Sequence, residues 1–121
     1  MSSIQHRVSG RALSFSLEDE MRKVRQELTS ASARIARTLV KDGPLTVTLV
    51  AVRSGGGLRE HKAAGPVTIH VLEGEIELNV AGESWPLSAG MLLAFEAGVP
   101  HAVTSAEGGL FLLTVVSPQK G

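Results

Sequence analysis

Glycine-centred breaks punctuate the second half of this chain and limit what it can fold into. Glu73-Gly74, Ala81-Gly82, Ala89-Gly90 and Ala97-Gly98-Val99-Pro100 each interrupt a short run of β-forming residues. Glycine supplies the positive φ that tight turns need, and proline fixes the turn that follows. Breaks at this spacing predict a compact antiparallel barrel or jelly roll, an all-β architecture. Two segments inside it carry histidine, GLREHKAAGPVTIHVLEGEIEL at 57–78 and AGMLLAFEAGVPHAV at 89–103. A histidine at the start of one strand and another just after a proline turn can face each other across such a barrel.

The amino-terminal part follows a different pattern. Residues 1–14 are small and polar, without periodicity, and read as a flexible arm in which His6 is exposed to solvent. Leu17, Met21, Val24 and Leu28 then recur at steps of four, three and four, which places them on one face of a helix over 17–28. Ser16 is positioned to cap it, and Glu18, Asp19 and Glu20 oppose the positive end of its dipole. Arg22, Lys23 and Arg25 take the solvent side. The predicted organisation is an arm at 1–14, an amphipathic helix within 15–32 and a barrel over 33–118.

Residues 36–41 read as the first strand, followed by the turn signal Asp42-Gly43-Pro44. Over 45–52, Leu45, Val47, Leu49 and Ala51 share one face while Thr46, Thr48, Val50 and Val52 share the other. Ser54-Gly55-Gly56-Gly57 matches a phosphate loop only in composition, since no Lys-Ser/Thr or helix start follows. It is expected to be a flexible connection. Residues 67–72 form a strand, Glu73-Gly74 is read as its turn, and Ile76, Leu78 and Val80 continue on the next strand. Further strands are expected at 83–87, 91–95, 101–105 and 110–116. The last, LFLLTVV, is apolar on both faces and must be covered on both sides. The barrel interior covers one side, and the amino-terminal helix or a second subunit must cover the other, so a homodimer is expected.

Composition excludes several partners. With 12 basic and 12 acidic side chains the net charge is zero, so neither nucleic acid nor an anionic membrane is attracted electrostatically. The absence of cysteine removes disulfide and thiolate chemistry. No apolar run of signal-peptide type lies in the first thirty residues, and none approaches a membrane span, so a cytoplasmic location is expected.

The two histidine segments resemble a small single-domain cupin of the type-2 conserved barrel family, over roughly residues 40–116. That family's first motif runs Gly, about five residues, H-x-H, three or four residues, Glu, six residues, Gly. Counting back from Gly74 puts the Glu position at Val67 and the H-x-H positions at His61 and Ala63. The second motif runs Gly, five residues, P-x-G, two residues, His. Gly90, Glu96-Ala97-Gly98 and His101 fit it, with Glu96 in place of the proline. The resemblance implies a double-stranded β-helix barrel and a four-ligand metal centre, of which His61 and His101 remain. The same frame turns Val67 inward, and Ile69 and Val71 with it, so the implied pocket is His61, Val67, Ile69, Val71 and His101. His70 becomes a third donor only if a bulge reverses strand parity there; otherwise it is a surface or interface residue.

Three functions are open to such a chain. One is a cupin that binds a small molecule in an apolar barrel pocket, anchored by His61 and His101, with a weakly bound divalent metal (Zn, Fe, Ni or Mn) or none. The second is a metal-dependent cupin enzyme of dioxygenase or isomerase type, which needs a firmly held ion with open positions. The third is a dimeric interaction module whose barrel is simply packed. The missing donors at Ala63 and Val67 favour the first. Trp85, the only tryptophan, reads as core or interface packing.

Overall fold

The computed structural model describes residues 12–29 and 32–118. Most of the expected arm, His6 included, lies outside the described residues. Residues 12–16 have no regular structure and lead into α1 (Leu17–Glu27). The Ser16 side chain accepts a hydrogen bond from the Asp19 N–H at 3.2 Å, and Glu18, Asp19 and Glu20 fill the first turn. Leu28, expected inside the helix, instead caps its carboxyl end.

Eight strands follow: β1 (Arg34–Asp42), β2 (Leu45–Val52), β3 (Gly57–His61), β4 (Val67–Val80), β5 (Glu83–Ser88), β6 (Leu92–Phe95), β7 (His101–Thr104) and β8 (Gly109–Val116). They form one curled antiparallel sheet in the order β1-β2-β8-β4-β7-β3, with β5 and β6 each paired to β4. This is the jelly-roll class expected from the turn spacing.

One expectation is corrected. Glu73-Gly74 does not reverse the chain, and residues 67–80 form a single strand of 14 residues. Its first half lies between β8 and β6, and its second half between β5 and β7. The register with β8 shifts between Val71 and Glu73, and Gly74 has φ 76°. A bulge followed by a left-handed residue bends a strand sharply without ending it. The sheet therefore folds over on itself at this point.

Strand alternation then yields two cores. Val50 and Val52 of β2, Phe111 of β8 and Val67, Ile69 and Val71 of β4 pack inside the curl with Ile76, Leu78, Leu87 and Val103. On the outer face, Leu49, Ala51, Leu39 and Leu110 pack against Val24 of α1, with Leu17, Met21 and Leu28 at the margin. All four periodic residues of the helix face this layer. The two-sided apolarity of 110–116 has the same origin, since Phe111 belongs to the inner core and Leu110 and Leu112 lie under the helix. Trp85 is 40% exposed and belongs to neither core, so of the core or interface packing expected of it the structure removes the first.

Two glycine substitutions separate the bend from an ordinary turn. A side chain at Gly74 would place its Cβ 2.3 Å from the Gly108 carbonyl oxygen, whereas one at Gly82 meets open space; φ is positive at both. Gly82→Ala is expected to cost about 1–2 kcal/mol, the penalty of a left-handed alanine. Gly74→Ala should cost clearly more, because backbone must also move. Urea midpoints of the two variants check this, and equal losses would contradict the bend described here.

Candidate functional site

β3 and β7 bring the two conserved-motif histidines together. Gly57 pairs with Thr104 and Leu58 with Val103, and continuing that register would set Glu60 opposite His101. A register shift after Leu58 adds one residue to β3, so His61 is the partner of His101 instead. Directly paired residues project to the same side of a sheet. The imidazole rings meet edge to face, with centroids 4.1 Å apart and planes at 61°. Phe95 of β6 lies against His101 from another side, at 4.6 Å.

His101 sits just after the turn at 97–100. The Gly98 N–H donates to the Ala63 carbonyl and the Ala81 N–H to the Pro100 carbonyl, both at 2.9 Å, which ties the turn to its neighbours. The His101 side chain is buried, while His61 is exposed at the rim. Nδ1 of His101 lies 3.0 Å from the Val99 carbonyl oxygen, and Nδ1 of His61 lies 2.8 Å from that of Arg59. A carbonyl only accepts, so each Nδ1 carries the hydrogen, and in the neutral ring Nε2 keeps its lone pair. Burial pushes the His101 imidazole below its ordinary value, and the nearby His61 adds to the effect, with the Val99 carbonyl partly opposing them. His101 is therefore a neutral ring at pH 7 with a basic Nε2.

The other two motif positions also project inward but carry hydrocarbon. Ala63 packs against the inner core, and Val67 is buried within it. Among the described residues no group of three or more His, Cys, Asp or Glu is placed to hold a metal. His70 does not join the pair. The bulge in β4 lies beyond Val71, so parity at residue 70 is unbroken. His70 pairs with Leu112 and Leu92, on the side of the sheet opposite Ile69. The donor set is thus two imidazoles, which does not match the three or four protein ligands of a tight site.

The cavity beside the pair lies at the seam of the curled sheet. β1 and β3 are the two ends of the strand order, and no hydrogen bonds join them. Between them opens a space of about 490 Å³ lined by Arg34 and Ala36 of β1, Thr48 and Val50 of β2, Leu113 of β8, and Leu58 to His61 of β3. Ile69 and Val71, expected on the pocket wall, are packed solid in the inner core, and Val67 borders a different groove on the outer side. The wall is formed instead by Val50, Leu58 and Leu113. Arg34, Arg59 and Glu60 were not legible as site residues, because nothing local shows that β1 and β3 approach each other. The one signal was the alternation of Arg34, Ala36 and Thr38, which becomes readable once Ala36 is known to pair with Val50.

The jelly roll with two motif histidines at its mouth defines the class of protein, and comparisons agree. A family model described as a cupin domain matches residues 46–116. The chain belongs to the cupin family. It is similar over 99% of its length, and 98% of the other chain, to a conserved protein of unknown function from Streptococcus pyogenes, at 26% identity and TM-score 0.71. A cupin 2 conserved barrel domain protein from Leptotrichia buccalis is 28% identical over 74% of this chain and 43% of its own, with TM-score 0.70. A salicylate 1,2-dioxygenase variant from Pseudoaminobacter salicylatoxidans shares the fold at TM-score 0.74 and 16% identity, over 84% of this chain and 34% of that one. No curated protein matches significantly. No described helix is long and apolar enough to cross a membrane.

The burial of His101 fixes a pH dependence. Its folded-state pKa lies below the ordinary 6.5, so below that pH the unfolded chain binds more protons than the folded one. The stability contributed by the neutral ring is full above 6.5 and declines as pH falls toward the lower folded value. Titration of the His101 ring protons by NMR should give a midpoint below 6.5. A midpoint at or above the ordinary value would contradict the buried, neutral assignment.

Proposed function

We propose that this cupin binds a small molecule in the seam cavity, with His61 and His101 as polar anchors beside it. The observation that carries the reading is the ring pair itself. Two imidazoles with Nδ1 engaged by backbone carbonyls are left with Nε2 available beside a cavity of about 490 Å³. That volume lies within the ~300–1,000 Å³ range of small-ligand sites, and its lining sets hydrocarbon from Ala36, Val50, Leu58 and Leu113 beside polar groups that can orient a ligand.

A divalent metal (Zn, Fe, Ni or Mn) on this site would be held by two imidazoles and completed by water. Methyl and isopropyl groups at Ala63 and Val67 supply no further donors. Such an ion is expected to be lost on dialysis against a mild chelator. A stoichiometric ion that survives this treatment would favour the alternative of a metal-dependent enzyme. The ligand-binding reading is tested by screening a fragment library by protein-observed NMR. Binders are expected to shift His61, His101 and Leu113 together, and His101→Ala should weaken them about tenfold, as loss of one good hydrogen bond does. Binders that ignore the seam would sink the reading.

A homodimer completes the proposal. α1 covers only part of the outer sheet face and leaves Leu92 64% and Val116 45% exposed beside an apolar groove lined by Pro66, Thr68, Ala94 and Thr114. A second copy, applying the same face about a two-fold axis, would bury it. Light scattering at micromolar concentration should give twice the 12.7 kDa chain mass. A value near the single-chain mass would count against it.

A further inference from the structure

We infer that the ligand of the seam cavity is a small organic carboxylate, gripped through its anionic end by Arg34 together with Arg59 while its apolar body lies on Val50, Leu58 and Leu113. The inference rests on the small-molecule reading above and names its chemical class.

The charge pattern carries it. Arg22 pairs with Asp19, Arg25 with Glu73, and Arg37 with Glu20 and Glu27. Arg34 and Arg59 have no acidic partner within salt-bridge distance among the described residues, and both line the cavity, one from each side of the seam. Arg34 is held there by its strand. It pairs with Val52, and the preceding Ala33 carbonyl accepts the Arg53 N–H at 3.0 Å. Glu60 is the one acidic side chain in the lining, so formal charge among the three residues sums to one positive.

The rest of the wall narrows the class. Ala36, Val50, Leu58 and Leu113 offer hydrocarbon, and Thr48 a single hydroxyl. A free phosphate or a sugar would leave most of that surface unmatched. A carboxylate matches the planar fork of a guanidinium bidentately, and an apolar substituent matches the wall. The lining also holds the exposed His61 ring, backed by the neutral His101, which suits a hydroxyl or carbonyl on the ligand better than a second charge. β1, which carries Arg34, lies outside the residues matched by the cupin model.

The test uses the full chain with benzoate and butyrate as probes against benzamide and butyramide, their uncharged counterparts, and inorganic phosphate as a bare anion, titrated by NMR. The carboxylates should bind at least about tenfold tighter than the amides, as a charge-assisted pair exceeds a neutral one. Arg34→Gln should reduce that preference severalfold and Arg34→Gln with Arg59→Gln should abolish it, while the chemical shifts of the inner core stay unchanged. If acid and amide bind the seam equally and both weaken in His101→Ala, the carboxylate inference is overturned and the small-molecule reading stands. If phosphate competes as well as benzoate, the apolar half of the inference is overturned. If none of the probes shifts seam residues, both readings fail together.

Discussion

The bend in β4 sets the whole architecture. A single strand takes part in both halves of the curled sheet, and it does so by turning at Gly74 against the backbone of Gly108 and Gly109. Only hydrogen fits between these backbones, so the approach of two chains, and not a side-chain contact, brings the halves together. Glu73 at the same bend also receives Arg25 of the helix at 2.7 Å, while Glu20 receives Arg37 of β1 at the same distance. The exposed Arg25–Glu73 pair contributes ~0–1 kcal/mol and orients the helix more than it holds it, while the Arg37–Glu20 pair is part-buried. Val24, fully buried on Leu49, Ala51 and Leu110, provides the attachment.

Because the sheet curls without closing, its two terminal strands become the walls of a cleft. Edge strands usually threaten aggregation, and proteins blunt them with charge or cover. Here β1 carries Arg34, and β3 carries Arg59 and Glu60 next to its bulge. These residues guard the free edges and line the cavity at the same time.

Much of the fold was legible in local chemistry. Ser16 and the spacing of Leu17, Met21 and Val24 specify the helix to within a residue, and the alternation over 45–52 marks β2 with its two faces. Gly74 was read as a turn because a glycine after a bulge and a glycine in a hairpin look alike in sequence; only pairing with β8 tells them apart. The histidine pair was legible through the family frame, and His70 was placed outward by parity alone. The cavity wall was not legible. It depends on the register of β1 with β2 and on where β3 gains its extra residue, both of which are settled by long-range pairing. Val67, Ile69 and Val71 were rightly turned inward, but inward in this barrel means core, since Phe111 and Leu78 fill the space beside them.

The bulge in β3 makes pairing register, as much as residue identity, a determinant of chemistry. The stretch from Leu58 to His61 is one residue longer than an unbroken ladder needs, and without the bulge that absorbs it Glu60 would face His101, so that a pair of imidazoles would become a carboxylate beside an imidazole. Such a pair favours a protonated ring where the present one favours a neutral ring. Strand register alone, with no change of sequence, therefore sets the acid–base character of the mouth.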